Sequence, residues 1–496
     1  MKRSTILFTL TGLAAVSTVQ AKLPVKPNIL WVMSEDQGQD LTCYGMQGVK
    51  TPVLDKMASE GILYMNAYCT NPISSPSRSA MLTGAHQTMI DAHNHRSNRE
   101  KPLPKGVYPF TYYLRQNGYT CILGNHQVMD HGRKIDCNYK TEPTGPYDGV
   151  KHFGIFDKVD YVTAADQPFF NQIQLKVTHR GDWWEGISNQ STHKVDPKDV
   201  VLPPFMADVP KIRKEWACYL DQVEYMDSDM GKILKELKEK KLLDNTIIFF
   251  IGDNGRCDIR GKGYIYEPGL RVPMIIWGKG IQKAVNKEVT STTDITATIL
   301  KLAGCKIPDY VIGKPLFKED GTCAPGHDYV YGARDTWDEI VECSRSIETK
   351  RYYYIRNYMP EVGWDRHQDY LEFYRPAVHV MRQLKKEGKL NTAQLAFFKD
   401  HKPFEELYDN SADPFQLHNL AEDVTYADVL SDMRSKLKDW QDNHKDCGIE
   451  DMHNRHPEKG NGVPAWLKNH HPEEWKKVTE GEINTHFHQW REDMKK

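Results

Sequence analysis

No Cys-x-x-Cys pair occurs among the ten cysteines of this 496-residue chain, at 43, 69, 121, 137, 218, 257, 305, 323, 343 and 447. Neither a zinc site nor a dithiol redox motif is therefore written in their spacing. Beyond Ala21 no stretch of about eighteen residues is apolar throughout, which leaves no segment able to cross a bilayer as a helix. Net charge is also missing: 65 Lys and Arg face 67 Asp and Glu. A chain so balanced has no general attraction for nucleic acid or for an anionic membrane, and any charge selectivity has to be local. Long repeats and low-complexity linkers are absent as well, and the length suffices for one large α/β domain plus a smaller one.

The chain starts Met-Lys-Arg, continues mostly apolar over residues 6–19 and closes with Val-Gln-Ala at 19–21, the three regions of a secretory signal peptide. Cleavage is expected after Ala21. Thr9, Thr11, Ser17 and Thr18 break the apolar stretch, which argues against an uncleaved anchor, and no cysteine follows the cleavage point to take a lipid. Stable membrane insertion is not expected. An oxidising compartment would allow some cysteines to pair, without the sequence saying which.

Residues 28–33, Asn-Ile-Leu-Trp-Val-Met, form a continuous apolar run of the kind covered on both faces in a parallel sheet, and Ser-Glu-Asp comes next. Later, Val223, Met226, Met230, Ile233, Leu234 and Leu237 recur at helical spacing. Asp244-Asn245 then turns the chain into an apolar strand over 246–251 that ends Gly-Asp-Asn-Gly. Open α/β sheets place ligand sites beyond the carboxyl ends of their strands, so Glu35-Asp36 and Asp253-Asn254 are expected to meet. By itself, Asp253-Asn254-Gly255 reads better as an ordinary turn, and its pairing with Glu35-Asp36 and the segment that begins at Ser74 reverses that weighting. After about residue 340 the pattern changes to short β-like runs such as the Tyr-rich 351–358, then to a polar tail. Its histidines, His453, His456, His470, His471, His486 and His488, show no repeated ligand spacing and read as surface residues.

Residues 74–84 read Ser-Ser-Pro-Ser-Arg-Ser-Ala-Met-Leu-Thr-Gly. Alone, Ser-x-Pro-Ser-Arg could be a Pro-containing turn that opens a helix, with Ser74 or Ser75 as N-cap. Together with four further segments in matching order between residues 28 and 421, the run resembles the activation signature of the type I sulfatases. The resemblance implies an α/β fold, an alkaline-phosphatase-like mixed sheet sandwiched by helices with a smaller C-terminal α+β subdomain. The corresponding division is a signal peptide over 1–21, a catalytic domain over 22–340 and the subdomain over 341–496.

The same resemblance implies that Ser74 is oxidised to formylglycine (3-oxoalanine), whose hydrate attacks sulfur, with Arg78 beside it and the sulfate. One calcium ion is implied, held by Glu35, Asp36, Asp253, Asn254 and the modified residue 74, since calcium takes hard oxygen ligands in irregular geometry. Glu35 departs from the two successive Asp of many members by one methylene. In the run 261–273, which is similar to the family's second signature, Lys262 is the sulfate-contacting lysine and Arg271 a structural brace. Residues 169–180 resemble the strand that delivers a histidine, here His179, to protonate the poor alkoxide leaving group. Many members have Gly-Lys-x-His where this chain reads Leu123-Gly124-Asn125-His126. The lysine is absent, and His126 is a candidate base for ejecting sulfate from the intermediate. The implied catalysis is covalent and proceeds in two steps.

Residues 332–339, Arg345 and the run 351–358 resemble segments of bacterial sulfatases that act on carbohydrates. On that basis Arg334, Asp335, Asp338 and Glu339 are candidate sugar contacts, with an ion-paired turn between domains as the equal alternative. His93, His95 and Arg96 are rim candidates. The expected activity is exported, exo-acting removal of O-sulfate from a glycan of mucin, glycosaminoglycan or algal type, in the periplasm. Alternatives are an N-sulfoglucosamine sulfohydrolase, a phosphatase or phosphonate monoester hydrolase, and an inactive sulfated-glycan-binding protein. A serine signature implies an anaerobic sulfatase-maturating enzyme as partner.

Overall fold

The computed structural model describes residues 22–124, 134–145, 154–483 and 486–496. The expected signal peptide and His126 lie outside the described residues. Ten strands come first: β1 (Asn28–Ser34), β2 (Ile62–Tyr68), β3 (Thr120–Gly124), β4 (Glu142–Thr144), β5 (Gly154–Phe156), β6 (Lys158–Asp160), β7 (Phe169–Leu175), β8 (Thr246–Gly252), β9 (Met274–Trp277) and β10 (Ala284–Ser291). Eight of them build the central sheet in the order β10-β2-β9-β8-β1-β7-β3-β6. It is mixed, because β9 runs antiparallel to both β2 and β8 while the other pairings are parallel.

The apolar runs of β1 and β8 are buried along their whole length because both faces of the sheet are covered. On β1, Leu30 and Val32 enter one core while Ile29, Trp31 and Met33 enter the other. The thirty-residue helix Pro210–Glu239 covers the first face with Val223, Met226, Met230, Ile233 and Leu237, whereas Leu234 is only partly buried. Helices Phe110–Gln116 and Thr293–Leu302 cover the second.

Register fixes the site. Ser34 pairs with Gly252 on one side and Leu175 on the other, so three neighbouring parallel strands finish level. Each of these strand ends runs directly into polar residues: Glu35-Asp36 after β1, Asp253-Asn254 after β8, and Lys176 to His179 after β7.

A second, antiparallel sheet has the order β11 (Val330–Arg334), β12 (Ser344–Glu348), β13 (Tyr352–Asn357), β14 (Glu405–Asp409). Its first strand precedes residue 341, where the sequence pattern changes. Helix Ala427–Asn443 packs on it through Leu430, Met433, Leu437 and Trp440. The polar tail does not trail away. Helices Val463–His470, Pro472–Thr479 and Phe487–Asp493 contribute Val463, Leu467, Val478 and Phe487 to a cluster that contains Ile73, Cys257 and Trp337, beside residue 74. All ten cysteines are free thiols. No described helix is long and apolar enough to cross a membrane.

Candidate active site

Ser74 opens the buried helix Ser74–Thr83, and the N-cap is Ile73, so neither Ser74 nor Ser75 serves as the cap. The helix ends at Gly84, whose φ of 76° places it in the left-handed region that favours glycine. Inside, Ser79 and Thr83 return their hydroxyls to the carbonyls of Ser75 and Ser79, which lets a polar helix sit in the interior. Ser74 Oγ donates to Asn254 Oδ1 at 2.9 Å. The first residue of the central helix is thereby tied to the end of β8, and the helix's positive terminus faces the site, as anion binding requires.

The two acidic strand ends do meet. The Asp36 amide donates to Asp253 Oδ1 at 3.0 Å, and Asn254 Nδ2 donates to Asp36 Oδ1 at 3.0 Å. Asp36 adopts φ of 49°, a left-handed conformation that aspartate tolerates better than most residues. Each buried carboxylate has its own cation. Lys134 Nζ lies 2.7 Å from Glu35 Oε2, Lys262 Nζ lies 2.7 Å from Asp36 Oδ2, and Arg78 Nη2 lies 2.9 Å from Asp253 Oδ2. Burial alone would raise all three carboxyls, but Lys134 and His179 hold Glu35 below its ordinary value, and Lys262 and His179 do the same for Asp36. For Asp253 burial wins over Arg78, and its pKa is raised.

His179 lies four residues past β7. Its Nδ1 is 2.9 Å from the Arg180 carbonyl, so that nitrogen carries the proton in the neutral ring and Nε2 is left as an acceptor. Nε2 is 3.3 Å from the Tyr370 hydroxyl, 3.5 Å from Lys262 Nζ and 3.7 Å from Asp36 Oδ2. Burial pushes the imidazole down to about 4, with Asp36 opposing and Lys262 adding to the shift.

Above this floor opens a cavity of about 730 Å³. Ser74, Glu35, His179 and Lys262 line it, as do the rim candidates His95 and Arg96 and the sugar-contact candidates Asp338 and Glu339. Arg96 and Asp338 both have left-handed backbones, with φ of 58° and 49°. Gly263, at φ of 85°, could carry no side chain, because a Cβ there would stand 2.3 Å from the Trp337 ring in the cavity wall.

Four expected contacts are placed elsewhere. Arg78 is committed to Asp253 and, through Nη2, to Gln174 Oε1 at 2.6 Å, and does not line the cavity. His93 is buried between Asp91 and Asp451. Arg334 donates Nε to the Gly263 carbonyl and faces Glu342, while Asp335 is wholly buried against Arg345 and Arg455. For Arg334 and Asp335 the ion-paired turn is the correct reading, because their charges are already neutralised by protein. Arg271 braces the loop, donating to the Met65 carbonyl and to Asn66 and Glu267.

Other cavity residues carry no local signal in the sequence. Lys134 stands outside any motif, Lys176 lies in the 169–180 run with no role marked for it, and Tyr370, Lys459, Phe487, His488 and Arg491 arrive from distant segments. Lys134 puts an ammonium group at Glu35 although position 125 is asparagine.

The donor set fits a hard divalent cation in kind. Glu35, Asp36, Asp253 and Asn254 supply oxygens, and Glu35 Oε1 is buried without a hydrogen-bond partner.

A family model described as Sulfatase matches residues 27–305, more than half of the chain, and one described as N-sulphoglucosamine sulphohydrolase, C-terminal, matches 254–369. Over 457 residues the chain is 32% identical to an ulvan-active sulfatase of Formosa agariphila, a match that covers 85% of this chain and 76% of that protein. It is 25% identical over 483 residues to the N-sulphoglucosamine sulphohydrolase of Homo sapiens, with 84% and 89% covered. A solved 2-O GAG sulfatase shares the fold with a TM-score of 0.59 at 20% identity, with 86% and 94% covered. The fold and the site define an α/β protein with an oxygen-rich, charged centre at the carboxyl ends of its parallel strands. Within that class, the chain belongs to the type I sulfatase family and is a sulfuric ester hydrolase.

Proposed function

We propose that the protein is an exported, exo-acting carbohydrate sulfatase that removes O-sulfate from a glycan, with the nucleophile made from Ser74. Ser74 carries this reading: its hydroxyl stands at the floor of a sugar-sized cavity, at a helix N-terminus, 2.9 Å from Asn254 and within a nest of paired charges. Formylglycine at this position would supply a hydrated aldehyde, with one oxygen to attack sulfur and a second to release it. Glu35, Asp36, Asp253 and Asn254 would hold a calcium ion, which supplies Lewis-acid stabilisation of sulfate charge.

The chain's own groups divide the remaining work. Asn254 orients residue 74 through its amide oxygen. Lys262 and the helix terminus face the sulfate oxygens. Arg78 holds Asp253 in place from beneath. His179 presents Nε2 to the cavity, and an anionic ester bound beside it raises its proton affinity, which suits it to protonate the leaving oxygen. Similarity to the ulvan-active and N-sulphoglucosamine enzymes supports a sulfated-sugar substrate. The match of residues 254–369 also favours a second reading, cleavage of N-sulfate from glucosamine. Maturation by an anaerobic sulfatase-maturating enzyme and a periplasmic location complete the proposal, and N-terminal sequencing of the mature protein should begin at Lys22.

The test is sulfate release from defined mono- and disaccharides, O-sulfated and N-sulfated in parallel, after coexpression with an anaerobic maturase. Release from an O-sulfated sugar that disappears in Ser74→Ala is expected. Release confined to N-sulfoglucosamine would select the second reading. No release from any sugar, with aryl phosphate or phosphonate cleaved instead, would overturn both.

A further inference from the structure

Two kinds of cation face the cavity. Lys134 and Lys262 on its floor each lie 2.7 Å from a buried carboxylate, and Arg96 makes a two-point contact with Asp136. Lys176, Lys459 and Arg491 also line the cavity, but among the described residues none has a carboxylate within ion-pairing distance. Lys176 is half-buried, with its ammonium group 4.3 Å from the centre of the Trp183 ring. Glu35 and Asp182 act on it only from beyond ion-pairing distance, and burial holds its pKa below the ordinary value, so an anion brought into direct contact with this half-buried ammonium gains a partner that the protein does not supply. Asp182, the acid nearest in sequence, accepts from the His488 amide and is not part of the cavity wall.

Resting on the sulfatase reading above, we propose that Lys176, Lys459 and Arg491 form a second anion subsite, which binds a carboxylate or a further sulfate on the sugar that bears the scissile ester. The placement is specific. The Lys176 carbonyl accepts from the His179 amide at 2.9 Å, so Lys176 stands on the His179 side, where the leaving oxygen lies. A cation there meets the sugar rather than the sulfate being cleaved. Helix Phe487–Asp493 brings Arg491 to the same cavity, and the segment before helix Val463–His470 brings Lys459. Asp338, Glu339 and Glu458 also line the cavity. Those carboxylates accept hydrogen bonds from sugar hydroxyls and repel an anion, so a doubly charged sugar has one favoured orientation.

Calorimetry on the Ser74→Ala chain, which binds without turnover, tests this. The ligands are a monosulfated monosaccharide, the same sugar with a second sulfate, and the same monosulfated sugar oxidised to its uronate. At least one of the two doubly charged ligands should bind about tenfold tighter than the monosulfated sugar, which is about 1.4 kcal/mol. Which of them gains identifies the anion. Adding Lys176→Gln and Arg491→Gln should bring the ratio to within about twofold, and raising the salt to about 0.5 M should shrink it in the unsubstituted cavity without any mutation. Equal affinities for all three ligands, or a preference that survives both substitutions and salt, would overturn the subsite. Sulfate release by the matured wild-type protein is measured separately, so a failure of the sulfatase reading is distinguishable from a failure of the subsite.

Discussion

Lys262 shows how much one side chain coordinates at this site. Its ammonium group is buried, 2.7 Å from Asp36 and 3.5 Å from His179 Nε2, and Asp36 raises its pKa against the opposing effect of burial. Lys262→Ala removes the cation facing the sulfate and leaves Asp36 short of its partner. The turnover number should fall roughly 10²- to 10³-fold, with a smaller change in KM, as for other losses of fixed charge stabilisation. A kcat within threefold of wild type would remove Lys262 from the machinery. Asp335 makes the opposite point. It sits wholly buried between Arg345 and Arg455, at 3.0 and 2.7 Å, and these also pair with Asp446 and Asp451, so Asp335→Ala takes one of two carboxylates from each buried arginine. Stability should drop by about 1–3 kcal/mol, the cost of buried donors that lose one acceptor, while the KM of the protein that remains folded stays near wild type. Denaturant melts and kinetics together check this, and a raised KM at unchanged stability would restore the sugar-contact reading. In sequence, Asp335 and Asp338 look alike. Only the folded partners, arginines for one and the cavity for the other, tell them apart.

Among the elements, β1 and β8 were the most legible. Each is an apolar run closed by an acidic cluster, and their pairing puts Ser34 level with Gly252, which brings Asp36 and Asp253 together. The helix opened by Ser74 was legible for the same reason, since pattern and position coincide. Strand β12 was less so, because it carries Glu348 into the interior, where the acid is almost wholly buried. Burial pushes the acid up to about 8, with Ser346 and Tyr353 opposing the shift and Glu267 adding to it. The folded state therefore keeps a proton that the unfolded chain releases near 4.5, so this group's effect is to lower stability as pH rises from about 4.5 to about 8 and to change nothing beyond. Glu348→Gln cannot ionise. Its stability relative to wild type should grow by more than about 1 kcal/mol between pH 5 and pH 8.5. Thermal melts at those two pH values read the difference, and a gap that does not widen would mean that Glu348 is solvated or paired.

At the scale of the whole molecule, the site is closed by parts of the chain far from its motifs. Tyr370 reaches His179 across 191 residues, and Phe487, His488 and Arg491 return from the C-terminal tail to wall the cavity. His488 reads as a surface residue in sequence because nothing local shows where the last helix docks, and Lys134 is hidden for the same reason. The fold class and the reactive floor are written in short segments, whereas the walls that select a substrate come from tertiary return. The central claim is that residue 74, once oxidised, is the nucleophile. Partial coexpression with an anaerobic maturase should yield preparations that differ in the fraction of Ser74 that has lost two hydrogens, as read by mass spectrometry of the peptide containing it. Sulfate release per mole of protein should rise in proportion to that fraction and vanish in Ser74→Ala. Turnover that is independent of conversion, or that persists in Ser74→Ala, would contradict the account.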